Sequence, residues 1–105
     1  MSTLELRDQL KQCRRDVDLA NFADRLQLNA DFKDVIHQNL FIDKSNALVS
    51  QMSLFSKESV EYQQILRELD AISYLRNYFI QLEVTGADAQ VSIQDAQNTL
   101  NSREE

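Results

Sequence analysis

An all-α fold, a helical bundle, is predicted by three observations: the chain has no proline, its single glycine is Gly86, and its apolar residues recur at steps of three and four almost throughout. Turn-rich β folds need proline to fix φ and glycine to reach positive φ, so their near absence favours long helices joined by short polar links. Helix is expected over more than about 65% of the chain.

Ser2 stands three residues before Glu5, the spacing of a capping box. A helix is predicted from about Thr3 to Gln27, with Leu6, Leu10, Cys13, Val17 and Ala20 on one face. Leu19, Phe22, Ala23 and Leu26 widen that stripe. Asn29-Ala30-Asp31 supplies cap-type residues. A short helix follows from about Asp31 to Phe41, with Phe32, Val35, Ile36 and Leu40 inward. Asp43 or Ser45 can cap a third helix carrying Ala47, Leu48 and Met52. Ser53–Ser56 reads as a link, with Ser56 as the next cap and Phe55 placed to staple onto Val60.

The most regular segment runs from about Lys57 to Val84. Its inward series is Tyr62, Ile65, Leu69, Ile72, Leu75, Phe79 and Leu82. Gly86 punctuates, and a last helix is expected from Asp88 with Ala89, Ile93, Ala96 and Leu100 inward. Residues 1–101 read as one helical domain and 102–105 as a frayed tail.

A helix over 57–84 is about 42 Å long, more than the roughly 33 Å diameter of a compact globule of this length. Residues 71–84 are also apolar on more than one face, the pattern of a helix covered from several sides. Both observations point to a coiled-coil-like homo-oligomer contact, with Tyr74, Leu75, Tyr78, Phe79 and Leu82 as the expected interface.

Charge narrows the partners. Net charge is −6. Residues 1–53 carry seven Lys/Arg and eight Asp/Glu, a net of −1; residues 54–105 carry four and nine, a net of −5. An acidic chain disfavours nucleic acid. Arg7, Lys11 and Arg14 nevertheless share a helix face, where like charges at this spacing cost about 0.2–0.5 kcal/mol per pair. The acidic residues Glu58, Glu61 and Glu68 form the complementary candidate face, so these six residues are a possible charged docking surface. No apolar run is long enough for a membrane span, and Met1–Glu5 has no signal-peptide character. The lone Cys13 cannot form an internal disulfide, which makes the cytoplasm, or a particle assembled there, the expected setting.

No pattern calls for catalysis, a cofactor or a metal. His37 is the only histidine, and metal sites need several ligands at set spacing. It reads as a polar-face residue beside Lys33, and Cys13 as a small buried hydrophobe. The glutamates read as a solvated face rather than acid–base machinery, and phosphate-cradling loops need more than one glycine.

Asn29-Ala30-Asp31-Phe32-Lys33-Asp34-Val35-Ile36, then Leu40-Phe41, Ala47-Leu48-Val49 and Leu69–Phe79, together resemble small all-helical proteins of tailed bacteriophages from the virion structure and assembly gene region. The resemblance covers about residues 16–82. It implies a structural or assembly protein, in the host cytoplasm or the virion, and brings no catalytic residues. The alternative is a helical phage or bacterial regulator that binds and inhibits a host protein; a minor enzyme subunit ranks third.

Overall fold

The computed structural model describes residues 2–104. It is 91% helical and contains no strand among those residues. The elements are α1 (Thr3–Leu28), a single turn α2 (Ala30–Phe32), a π-helical stretch (Lys33–Lys44), α3 (Ser45–Met52) and α4 (Val60–Glu104). No helix is long and apolar enough to cross a membrane, among the described residues. The chain forms two compact units, one of residues 1–25 and 80–105, the other of residues 26–79. α4 contributes to both.

Caps set the helix starts. The Ser2 hydroxyl accepts from the Glu5 N–H at 3.1 Å, as the capping-box spacing predicts. The Asn29 side-chain carbonyl accepts from the Phe32 N–H at 3.0 Å and opens α2. The cap of α4 is Ser59 rather than Ser56, and the helix begins at Val60 rather than Lys57. The Ser56 carbonyl is occupied, accepting the Ser59 N–H at 3.0 Å and the Ser59 hydroxyl at 2.7 Å. That turn presents the Ser59 oxygen to the Tyr62 N–H at 3.1 Å. Val60 is then exposed, so the expected Phe55 staple onto it is lost.

The first unit is an antiparallel pair of helix segments. Arg103 donates to the Thr3 hydroxyl, Leu6 and Leu10 pack with Ala96, and Gly86 faces Ala20. Leu6, Leu10, Cys13, Val17 and Ala20 on α1 oppose Gly86, Ala89, Ile93, Ala96 and Leu100 on α4. Both series step by four and three, as in knobs-into-holes packing. Cys13 is buried in this seam, as its place in the stripe predicts. Phe22 is exposed instead of widening the stripe; the guanidinium of Arg25 lies 5.0 Å from its ring centre. Leu26, in the second unit, is also exposed.

Gly86 corrects the expected break. α4 runs through it without interruption, so there is no separate helix from Asp88, and 102–104 are helical rather than frayed; Glu105 lies outside the described residues. The glycine is buried, and a Cβ built on it collides with the Cβ of Ala20. It is there for close helix approach, not for a turn.

In the second unit, Phe41, Leu48, Ile65 and Ile72 form the core, with Ile36, Leu40, Met52, Leu69, Leu75 and Phe79 packed against it. The expected break at Asp43 or Ser45 is absent, because the chain passes from π-helical to α-helical winding without a side-chain cap. In the π stretch each N–H reaches five residues back, which widens the turn. Inward positions therefore recur at steps of four and five: Phe32, Ile36 or His37, Phe41. Val35, three residues after Phe32, is inward on an α-helical count and is exposed here. Ala47 is likewise exposed, while Leu48 takes the core position.

Two predictions follow from this packing. Ile72→Ala and Leu69→Ala each lower unfolding free energy by about 2–5 kcal/mol in urea titrations, with the larger loss at the more buried Ile72. Gly86→Ala, which stabilises an ordinary helix, instead destabilises this one by about 1–3 kcal/mol through overpacking, and adding Ala20→Gly recovers part of the loss.

Candidate interaction surface

α4 presents an inner and an outer face. The inner face steps through Ile72, Leu75, Phe79, Leu82, Gly86, Ala89, Ile93, Ala96 and Leu100, all buried or half-buried. Leu75 and Phe79 pack on the second unit's core, and the Phe79 ring meets Phe32 edge-on at 5.5 Å. These two residues, expected at an oligomer interface, are half-buried and pack on the chain's own core. The reason is phase: they share the three-and-four repeat that already faces the chain's own helices. Leu82 is half-buried on the same face.

Tyr74 and Tyr78 remain outward, 76% and 50% exposed. Beyond them the outer face carries a second apolar stripe of Ile80, Val84, Ala87 and Val91, at steps of four, three and four. Ile80, Val84 and Val91 are 51%, 48% and 63% exposed. A stripe that is apolar at helical spacing and left in water is a candidate interaction surface. Ile80 and Val84 belong to the multi-faced segment picked out in the sequence; Ala87 and Val91 were hidden by taking Gly86 as a stop.

The six charged candidates lie on the surface. Arg7, Lys11 and Arg14 are exposed in the first unit; Glu58 and Glu61 are exposed and Glu68 half-buried in the second. Among the described residues no side-chain hydrogen bond or ion pair joins any of them to a partner. Arg7 and Arg14, with Leu10, Gln97, Leu100 and Asn101, line an open groove of about 420 Å³. On the same unit Asp24 and Glu83 line a second groove beside Gly86.

His37 departs from its expected polar-face setting. It is half-buried, with its ring edge-on to Phe32 and Phe41 at 5.5 Å each, and its Nε2 is buried with no protein partner. Arg76 closes this aromatic row: its guanidinium donates to the Phe41 carbonyl at 2.8 Å and sits 5.2 Å from the Phe41 ring centre. Nothing in the residue spacing announces this contact, because it joins α4 to a π-helical carbonyl 35 residues earlier. Among the described residues no group of three or more His, Cys, Asp or Glu could hold a metal ion.

Fold and surface together define a class, an all-helical protein with an outward apolar helix face. No protein-family model, curated protein or solved structure matches the chain.

The Arg76 contact predicts a specific loss. Arg76→Met keeps the apolar stem but removes a charged hydrogen bond worth about 1.5–3 kcal/mol, and Arg76→Lys restores only part of it. Paired denaturant curves of the two variants measure the difference.

Proposed function

We propose that this chain is a small non-enzymatic structural or assembly protein, of the kind tailed bacteriophages encode, which works by self-association through α4. One observation carries the reading: the outer stripe of Ile80, Val84, Ala87 and Val91 leaves large aliphatic side chains in water at the spacing of a helix–helix contact. The sequence pattern over 16–82 supports the phage-type role, and with it a place in the host cytoplasm or the virion. Aromatic residues are enriched in interface cores, and Tyr74 and Tyr78 are exposed aromatics on the second unit's part of α4. The acidic balance of residues 54–105 keeps nucleic acid the less favoured partner.

Light scattering on the wild-type chain tests the reading, and an oligomer is expected. Val84→Glu sets a carboxylate into the desolvated contact, at a cost of several kcal/mol if unpaired. It should dissociate the oligomer and leave the circular dichroism helical. Phe79→Glu should instead lower the melting temperature, because that side chain belongs to the core. A wild-type chain that stays monomeric at high concentration would leave the stripe to a foreign protein, and the host-directed regulator would become the better reading.

A further inference from the structure

The outer stripe has a mirrored sequence. Read outward from the point between Thr85 and Gly86, Val84 is matched by Ala87, Glu83 by Asp88, Gln81 by Gln90 and Ile80 by Val91. On both sides the order is apolar, acid, amide, apolar, and all eight of these residues are exposed. A two-fold contact brings one surface against itself in reverse, so a mirrored stripe is complementary to its own copy.

Helix geometry turns this into an orientation. With Val84 and Val91 at heptad position a, Ile80 and Ala87 fall at d, Glu83 and Gln90 at g, and Gln81 and Asp88 at e. The flanking e and g residues set partner choice and direction. A parallel, in-register pair of stripes sets Glu83 of each copy beside Asp88 of the other. That puts acid on acid twice, on a chain whose groove beside Gly86 already holds Asp24 and Glu83. An antiparallel pair sets Glu83 beside Gln90 and Asp88 beside Gln81, each twice by symmetry, so Glu83 and Asp88 each meet an amide that can donate to them. The core layers become Val84 on Ala87 and Ile80 on Val91.

We infer that the partner of the outer face is a second copy of this chain, docked antiparallel with its two-fold axis at Thr85–Gly86. The inference rests on the self-association proposed above and adds the seam and its direction. The two α4 helices cross where the stripe is narrowest, at Val84 and Ala87, and Ile80 and Val91 close the ends. The contact runs over twelve residues, about 18 Å of helix, which suits a dimer that exchanges with concentration rather than a permanent one.

Disulfide trapping tests this on the full chain, with Cys13 changed to alanine. Ile80→Cys and Val91→Cys are made as separate variants and mixed under mild oxidation. A disulfide needs Cα atoms within about 7 Å. In the antiparallel pair residue 80 meets residue 91 of the other copy, and the two copies of residue 80 stand eleven residues apart, about 16 Å along the axis. The expected product is therefore the mixed 80–91 disulfide, in large excess over either homodimer. As a second measurement, Gln81→Lys should lower the dissociation concentration several-fold, because it faces Asp88 twice; in a parallel pair it faces Arg76. An 80–80 disulfide, or weakening by Gln81→Lys, overturns the antiparallel arrangement. A wild-type dimer by mass that traps no disulfide overturns the seam alone and leaves self-association standing. A wild-type monomer removes both.

Discussion

Close approach at Gly86 is the constraint on which the first unit depends. Of the ten residues that face each other across the two helices, five are alanine, cysteine or glycine and five are leucine, valine or isoleucine. The small ones let backbones and short side chains make many short-range contacts, which require the axes to stay near each other. Bulk at a single position pushes the helices apart along several turns. Gly86 against Ala20 is such a point, and the leucines at one end of the seam, Leu6, Leu10 and Leu100, pack around Ala96. The entropic cost of glycine inside a helix, about 0.5–1 kcal/mol, is offset by the packing it permits.

The same residue shows how far the sequence could be read. The three-and-four repeat placed α1, the inner face of α4 and the buried Cys13, because those positions obey α-helical geometry and face a single partner. It misread Gly86 because glycine has two uses, a turn and a close contact, and one sequence does not distinguish them. It misplaced Val35 because a π-helical stretch has no composition signature, and a period of 3.6 was applied where the chain winds more widely. The cap of α4 fell on the second of two serines, a choice decided by hydrogen bonds to the Ser56 carbonyl. At the candidate surface, the inward series already set Leu75 and Phe79 apart from Tyr74 and Tyr78. What the sequence did not show is that the chain's own helices cover that inward face, so all of them were read as one interface.

The division of α4 into faces gives its residues different tolerances. Inner-face positions are fixed by volume: they are small where α1 approaches and large where Phe41 and Leu48 need filling. Outer-face positions are fixed more by pattern than by volume, since about half or more of each large side chain there faces solvent. A change of size at Val84 leaves the fold intact, and a change of polarity there alters what the surface adheres to. The row Phe32, His37, Phe41 and Arg76 is fixed by contact rather than by volume. It ties α4 to the π-helical stretch through a main-chain carbonyl, and so holds in place a segment whose own hydrogen bonding is less favourable than that of an α-helix.

Cys13 has a consequence of another sort. It is the chain's only sulfhydryl and lies buried in the α1–α4 seam. A thiol reagent in solution reaches it only when that seam opens. Its rate of alkylation is therefore a clock for local breathing of the helix pair, separable from global unfolding by its dependence on denaturant.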